Sequence, residues 1–293
     1  MGILNVTPDS FSDGGRYIAT SAAVSRGLLM REQGADIIDV GGESTRPGAG
    51  RVPAREELRR VVPVVRELVA AGCTVSIDTM RAVVAEACVD AGAVLVNDVS
   101  GGLADPAMTR CVAELGTPFV AMHWRGHSAD MHRHAHYDDV VGDVLAELRE
   151  RIDRLVEGGI AVERIIVDPG LGFAKTAEQS WQLLRGLRSL AELGRPLLVG
   201  ASRKSFLATC LPWEGDETRE RRLDAATATV SAAVAVDGAF AVRVHDVAAS
   251  AAAIRVAEAM REGAARRPLR CAAVDPVGLP RDTDRAAAQV SRT

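Results

Sequence analysis

The chain has few aromatic residues, no cysteine-pair motif, no long apolar run and no excess of positive charge. Phe, Trp and Tyr make up only 3% of its 293 residues. The core must therefore be built from Val, Leu, Ile and Ala, which suits a parallel sheet that is buried on both faces. The formal net charge of −4 gives no indication of a nucleic-acid-binding protein, so an anionic ligand would need a local cationic site.

The cysteines and the apolar segments indicate where the protein functions. Five cysteines are scattered without a C-x-x-C pair, which predicts reduced thiols and not a disulfide framework or a zinc site. Charged residues interrupt every apolar stretch well before the roughly 20 residues that a membrane span needs. No basic segment followed by an apolar run opens the sequence. We therefore expect a cytoplasmic protein without a signal peptide, a membrane span or a nucleic-acid partner.

Short runs rich in Val, Ile and Leu alternate with longer amphipathic segments along the chain. The candidate strands are 3–6, 36–40, 74–77, 95–97, 119–122, 165–167, 197–199 and 241–244. Helical patterns include 22–33, 56–71, 83–91, 140–157 and 225–236. This alternation predicts an α/β fold, a single-domain (β/α)8 TIM barrel, with a doubly wound open sheet as the alternative. We expect the catalytic barrel at residues 1–262 and a weakly ordered C-terminal tail, which lacks periodicity, at 263–293.

Polar side chains lie at one end of nearly every candidate strand. They are Asn5, Asp39, Glu43, Asp78, Asn97, Asp98, His123, Asp168, Ser202, Ser205, Arg243, His245 and Asp246. In a barrel the carboxyl ends of the strands converge on one mouth, which is where active sites lie. A single polar residue could simply mark where a strand meets solvent. That interpretation does not explain well why polar residues occur at the same end of eight strands.

Two loops near the start of the chain combine turn residues with chemically active groups. The segments 2–15 and 41–49 contain small hydroxyls, carboxylates and, in the second, Arg46. Such a mixture suits a mobile lid over a polar ligand, and Arg46 can pair with an anionic group through two hydrogen bonds.

Asp78, Asn97 and Asp168 are expected around the same mouth. Carboxylates accept paired N–H bonds and an amide both donates and accepts, so this set suits a heterocycle with several N–H donors and a carbonyl. Carboxylates on separate strands suit a divalent metal equally well. The residues alone leave both alternatives open.

The segment 200–205, Gly-Ala-Ser-Arg-Lys-Ser, joins the seventh strand to the next helix. Ser202 is a candidate N-cap, and the amides of the first helical turn would bind an anion. Arg243 and His245 alternate along the eighth strand, so both should point to the same face and form a cationic clamp beside this turn. The alternative is that Arg243 only forms a salt bridge inside the barrel.

A histidine cluster offers a competing site. His132, His134 and His136 alternate in the manner of a strand and could bind a metal, but 128–136 has the composition of a polar loop, where histidines are usually solvated. His123 differs because it ends a candidate strand.

Seven motifs carry a family resemblance. They are G-I-L-N-V-T-P-D-S-F-S-D-G-G, D-V-G-G-E-S-T-R-P-G, V-S-I-D-T, V-N-D-V-S-G-G, D-P-G-L-G-F-A-K, G-A-S-R-K-S and R-V-H-D. In this order, over about residues 2–260, the chain resembles the dihydropteroate synthase family. The resemblance implies a (β/α)8 barrel, usually a homodimer. It also implies a reaction in which the amine of p-aminobenzoate displaces diphosphate from 6-hydroxymethyl-7,8-dihydropterin diphosphate.

The resemblance also implies roles for residues that match the motifs. The implied pterin contacts are Asp78, Asn97, Asp168 and Lys204. Asn5 matches the residue associated with Mg2+, the expected cofactor. The implied diphosphate contacts are Thr45, Arg243 and His245, and the implied p-aminobenzoate subsite is Phe11, Pro47, Phe173 and Ser205. We expect Asp168, Lys204, Arg243 and His245 to be catalytic.

Two other functions fit parts of the sequence. A pterin-binding methyltransferase of related barrel type would share the Asp and Asn pocket but would not need the S-T-R-P-G loop or the diphosphate clamp. A catalytically silent homologue would be expected to lose loop or diphosphate residues, and every motif residue is present. The charged segment 211–222, which departs from the family motifs, is interpreted as a surface-loop insertion.

Replacing His132, His134 and His136 together by Ala should leave turnover within about twofold, as for an ordinary surface loop. Steady-state kinetics of the triple variant checks this. A large loss that added zinc restores would show a functional metal site in the loop.

Overall fold

The computed structural model describes residues 1–6, 16–43, 52–126, 134–211, 218–261 and 277–278, without the side chains of 16–19. Strands and helices alternate along the chain. The strands are β1 Gly2–Asn5, β2 Ile38–Gly41, β3 Val75–Asp78, β4 Leu95–Asp98, β5 Phe119–Met122, β6 Ile165–Asp168, β7 Leu198–Val199 and β8 Ala241–Val242. The helices are α1 Arg16–Glu32, α2 Ala54–Ala70, α3 Ala82–Asp90, α4 Met108–Leu115, α5 Val140–Glu157, α6 Ala177–Arg185, α7 Leu187–Leu190, α8 Arg219–Val236 and α9 Val247–Arg261.

The strands close into a barrel. β1 to β6 pair in sequence order as one parallel sheet, and β7 pairs with β8, also in parallel. Bridges between Val167 and Leu197 and between Gly2 and Val244 join the two sheets at both edges. Because the first and last strands are neighbours, the (β/α)8 prediction is confirmed and the open-sheet alternative is wrong.

The predicted strand bounds are correct to within two residues. One loop prediction is partly wrong, because α8 begins at Arg219 and takes up the last four residues of the segment interpreted as an insertion. Thr218 caps α8 by accepting a hydrogen bond from the backbone N–H of Arg221, a local signal that the charge-rich composition of the segment obscured.

Strand alternation divides the barrel interior into an apolar floor and a polar mouth. Met1, Ile37, Leu95, Val120, Ile166 and Leu198 form a buried cluster, which we call the floor cluster. Two residues further along three of these strands lie Asp39, Asn97 and Asp168, which therefore point to the same interior face. In these three strands the polar residue at the mouth thus follows the floor residue by two positions.

Most of the predicted tail, residues 263–293, lies outside the described residues. Of its two described residues, Val277 packs against the floor cluster. In the described part of the chain, no helix has the length and apolar character needed to cross a membrane.

The turn after β7 differs from the prediction. The helix that follows it is a 3-10 helix, Ser205–Cys210, whose N-cap position is Lys204 and which has no side-chain cap. Ser202 is therefore not an N-cap. Arg203, with a φ of 57°, turns the chain before the helix starts, and this separates Ser202 from the first helical turn.

The loop between β6 and α6 passes close to the end of β5. Gly170 has a φ of +67°, and a β-carbon there would lie 2.4 Å from the backbone oxygen of His123. Gly194 has a similar φ of +63° but has no atom within 4 Å of such a carbon. The two glycines share a backbone conformation and differ in the space around them.

Gly194→Ala should therefore lower the free energy of unfolding by about 1 kcal/mol, from the backbone conformation alone. Gly170→Ala should cost at least about 2 kcal/mol more, because a backbone carbonyl must move. Denaturant unfolding of both variants measures the difference. Equal losses would mean that the loop moves away from His123 without cost.

Candidate active site

A buried hydrogen-bond network ties four strands together at the mouth. Asp39 is fully buried and accepts hydrogen bonds from the Ser76 hydroxyl, from Nδ2 of Asn97 at 2.9 Å and from Nε of Arg243 at 2.6 Å. Nη2 of Arg243 donates to Oδ2 of Asp78, also at 2.6 Å. Arg243 therefore forms the internal salt bridge that the sequence left open, and it does so at the predicted mouth.

Within this network, burial and the neighbouring opposite charges shift the pKa of each group in opposite directions. Burial disfavours the charge of Arg243, but Asp39 and Asp78 raise the pKa of the guanidinium above its usual value. Burial raises the pKa of Asp78 to about 7, although Arg243 favours the ionised form. Among the described residues, Nη1 of Arg243 has no hydrogen-bond partner, so the guanidinium keeps donors available while it pairs with two carboxylates.

A second charged pair lies where β6 and β7 end. Asp168 is buried, and its Oδ1 accepts a hydrogen bond from the backbone N–H of Gly170 at 2.7 Å. Burial raises the pKa of Asp168, an effect that Lys204 opposes. Burial also lowers the pKa of Lys204 to about 8. A carboxyl group and an amino group of opposite charge are thus buried in the same part of the mouth.

Gly200 keeps the space beside this pair open. A β-carbon at Gly200 would lie 3.5 Å from Oδ2 of Asp168 and 3.9 Å from Nζ of Lys204. Both charged atoms therefore face the same glycine, which follows β7. A ligand edge that reaches this position would meet an acceptor and a donor side by side.

Two residues of the predicted p-aminobenzoate subsite lie near Lys204. Phe173 contacts it in the fold, and Ser205 follows it in the sequence. The Phe173 ring centroid is 4.6 Å from Nζ of Lys204, within the range of a cation–π contact, and the ring is half-buried. Ser205 is exposed at the first residue of the 3-10 helix. The structure therefore places Phe173 next to the lysine of the predicted pterin pocket.

His245 is held by the turn after β7. The Ser202 hydroxyl lies 2.8 Å from Nδ1 of His245 and also accepts a hydrogen bond from the His245 backbone N–H at 3.0 Å. β7 and β8 pair with Val199 opposite Val242, which brings the two following segments together. Ser202 is thus a partner of His245, a role that the sequence did not predict.

Asn5 ends β1 at the mouth, where it is half-buried and pairs in register with Gly41 of β2. Phe11, Thr45, Arg46 and Pro47 lie outside the described residues, so their predicted roles stay predictions. The other predicted site residues are described by the structure. They lie at strand ends or in the loops that follow the strands.

The histidines do not form one group. His123 is buried at the end of β5, where its Nε2 lies 2.9 Å from Oε2 of Glu147 on α5. His134 and His136 are exposed in the predicted polar loop, and His132 lies outside the described residues. Within the described residues, no group of three or more His, Cys, Asp or Glu side chains could hold a metal ion.

Two residues of the site region received no role from the sequence. In the sequence Asp39 only marks the end of a candidate strand, and Lys175 ends the D-P-G-L-G-F-A-K motif. Asp39 could have been found from its two-residue spacing to Ile37, which places both inside the barrel. The side-chain partner of Lys175, His123, lies 52 residues away in sequence, and no local signal indicates it.

The comparisons with known proteins agree on one family. A family model described as pterin binding enzyme matches residues 1–245. The chain is 51% identical over 281 residues to a dihydropteroate synthase of Mycobacterium leprae (strain TN), covering 92% of this chain and 96% of that protein.

Solved structures give the same result. The Xanthomonas albilineans dihydropteroate synthase with 4-aminobenzoic acid matches with a TM-score of 0.81 and 46% identity, covering 89% of this chain and 92% of the other. The structure of the enzyme from that organism in complex with 7,8-dihydropteroate matches with a TM-score of 0.78 and 43% identity, over the same 89% and 92%. The chain therefore belongs to the dihydropteroate synthases of the pterin-binding enzyme family, transferases of folate biosynthesis that condense 6-hydroxymethyl-7,8-dihydropterin diphosphate with p-aminobenzoate to give 7,8-dihydropteroate and diphosphate.

Proposed function

We propose that Asp168 and Lys204 hold the pterin ring of the substrate at the mouth of the barrel. The observation that carries this assignment is that Oδ2 of Asp168 and Nζ of Lys204 both face Gly200. The carboxylate suits the amino and ring N–H donors of a pterin, and the ammonium suits a carbonyl or ring-nitrogen acceptor. Burial strengthens both interactions because little water competes for them.

Asp78 and Asn97 complete the pterin pocket. They end adjacent strands, and Arg243 and Asp39 fix their side chains by hydrogen bonds of 2.6 and 2.9 Å. Because these partners lie on strands, the pocket is preorganised before the substrate arrives. Asp78 adds an acceptor and Asn97 an amide to the rim of the ring site.

Arg243 and His245 stabilise the diphosphate as it leaves. Arg243 remains cationic while it holds Asp39 and Asp78, and its Nη1 supplies further donors. Ser202 contacts the His245 ring at Nδ1 and the His245 backbone N–H, which fixes the orientation of the imidazole beside the Arg243 guanidinium. Thr45 and Arg46, on the loop 41–49, are proposed to contribute further contacts to the anion.

The donor set at the mouth fits Mg2+ only together with the substrate. Asn5 offers a hard amide oxygen at the end of β1, and no cage of three or more acidic, His or Cys ligands exists among the described residues. Mg2+ usually binds one or two protein oxygens plus substrate phosphates, and when bound it would neutralise charge on the diphosphate. Asn5 is therefore proposed to hold the ion together with the diphosphate.

The second substrate approaches from the side of Phe173 and Ser205, with Phe11 and Pro47 from the early loops. Its amine nitrogen forms a bond to the pterin methylene carbon while the bond from that carbon to the diphosphate oxygen breaks, and the amine then loses a proton. Asp168 favours the cationic character that the pterin and its methylene carry as the leaving group departs. An arylamine is already nucleophilic, so no Ser or Cys nucleophile is required.

We also propose that the protein is a homodimer in the cytoplasm. The family resemblance supports the dimer. The four described cysteines are free, which suits a reducing compartment. Light scattering during gel filtration measures the mass and therefore tests the dimer directly.

Asp168→Asn should weaken pterin binding by about 10-fold to 150-fold, because losing a charged hydrogen bond costs about 1.5–3 kcal/mol. Calorimetry with a pterin and circular dichroism of the fold measure the two effects separately. Asp237→Asn, at the end of α8, is the matched control and should bind as the wild type does. Undiminished pterin affinity in Asp168→Asn would remove Asp168 from the pocket.

p-Aminobenzoate alone should bind poorly, and Mg2+ with diphosphate and pterin should tighten it at least several-fold. The reason is that Phe11 and Pro47 belong to loops that the diphosphate and the ion gather, and a coupling of about 1–3 kcal/mol is ordinary for such linkage. Calorimetry with and without the three components tests this expectation. Asn5→Ala should reduce the tightening, and equal affinity in both conditions would mean that the arylamine site is preformed.

A further inference from the structure

Lys175 is a buried lysine that the reaction scheme above does not use. It is 6% exposed, and its Nζ lies 2.9 Å from Nδ1 of His123, 3.1 Å from the Gly170 carbonyl oxygen and 3.1 Å from the Phe173 carbonyl oxygen. An ammonium has three N–H donors, and three acceptors surround this one. The side chain therefore fastens its own loop, residues 169–175, at two carbonyls and ties it to the end of β5.

His123 and Glu147 set the direction of these hydrogen bonds. Burial, with the nearby charge of Lys175, lowers the pKa of His123 to about 4, so the ring is neutral at pH 7. Hydrogen bonds from His123 and Arg125 outweigh partial burial and lower the pKa of Glu147 to about 2. An ionised carboxylate at Nε2 requires the proton there, which leaves Nδ1 of His123 as the acceptor for Lys175.

The loop that Lys175 fastens has a conformation that needs such support. Gly170, Gly172 and Ala174 have φ values of +67°, +73° and 48°. The positive φ at Ala174 is strained for a residue with a β-carbon, and such strain persists only where the surroundings impose it. Without Lys175, the Gly170 and Phe173 carbonyls would also lose a charged donor.

The same loop carries the groups that contact Lys204. Nζ of Lys204 donates to the Leu171 carbonyl and lies 4.6 Å from the Phe173 ring centroid. A β-carbon at Gly172 would lie 3.2 Å from Cδ of Lys204, so the loop backbone passes directly along the lysine stem. The shape of the loop therefore decides where the Lys204 ammonium lies relative to Asp168.

We propose that Lys175, held by His123 and Glu147, is a positioning residue that shapes the loop 169–175 so that the Leu171 carbonyl and the Phe173 ring fix Lys204. This inference rests on the proposed assignment of Lys204 to the pterin pocket. Lys175 touches neither substrate in this scheme and acts through Lys204 and Phe173.

A double-mutant cycle tests the proposal with Lys175→Met, which keeps an apolar stem of similar length, and Lys204→Met. Lys175→Met should lower kcat/KM for the pterin diphosphate by roughly 10²-fold, the size of effect that a misplacement of about 1 Å produces. In the Lys204→Met background the same change should cost less than about threefold, because its target is already absent. Val64→Ala, a core change on α2, controls for lost stability and should leave kcat/KM unchanged below its unfolding temperature.

Nitrogen NMR of the histidine rings tests the contact between Lys175 and His123 on which the proposal depends. In the wild type, His123 should be the Nε2–H tautomer and titrate near 4, with Lys175, Arg125 and Glu147 as the charged groups around it. In Lys175→Met its pKa should rise but stay below the usual value of about 6.5, because a neighbouring cation is removed while the burial that lowers the pKa most remains. An unchanged titration would overturn the contact between the two residues.

The possible failures are distinguishable. Equal losses from Lys175→Met in both backgrounds, or a loss within about twofold in the wild type, would overturn the role of Lys175 alone. A Lys204→Met variant with full kcat/KM would overturn the pocket assignment and the proposal with it. If Lys175→Met does not fold, Glu147→Leu tests the same route from α5, where the side chain is 39% exposed. Its kinetic loss should likewise vanish in the Lys204→Met background, and persistence would overturn the proposal.

Discussion

The ion pairs of Arg243 with Asp39 and Asp78 hold the mouth of this barrel together. Two buried carboxylates at adjacent strand ends repel each other and have lost their hydration, so each needs a cation or donors. β8 supplies the cation because the bridge between Gly2 and Val244 brings it beside β1 and near β2 and β3. Removing one partner of such a buried pair typically costs about 3–5 kcal/mol, so the groups that shape the site also stabilise the closed barrel.

The other side of the mouth contains the buried charged groups Asp168, Lys175 and Lys204, whose pKa values burial shifts. Lys175 and Lys204 are both buried near Asp168. Burial lowers the pKa of Lys175 to about 7, with a further contribution from the charge of Lys204, and burial lowers the pKa of Lys204 to about 8. This side of the mouth is built from a loop with three positive φ values, whereas the pocket walls at Asp78 and Asn97 are strand ends. The proposed pterin site therefore has walls at strand ends and one edge whose shape is set by side-chain contacts.

The fold was predictable because its main signals are periodic and local. Val, Ile and Leu runs of the right length and helical segments between them predict parallel strands joined by helices, and the polar residues at the strand ends predict a mouth where they converge. The predicted helix 22–33 starts six residues later than α1, and Arg219–Arg222 were assigned to a loop instead of α8. These errors lie at helix starts, where charged and polar residues occur in caps, first turns and loops alike.

The sequence by itself determined the strands, the barrel class, the family motifs and the positions of Asp78, Asn97, Asp168 and Lys204 at the carboxyl ends of strands. Only the tertiary structure decided which side chains become partners. Arg243 lies 204 residues from Asp39, and Lys175 lies 52 residues from His123, yet each pair is within hydrogen-bond distance. Ser202 contacts His245 and not the helix start for the same reason. Partners of this kind follow from strand register and barrel closure, which bring distant segments together and leave no local pattern in the chain.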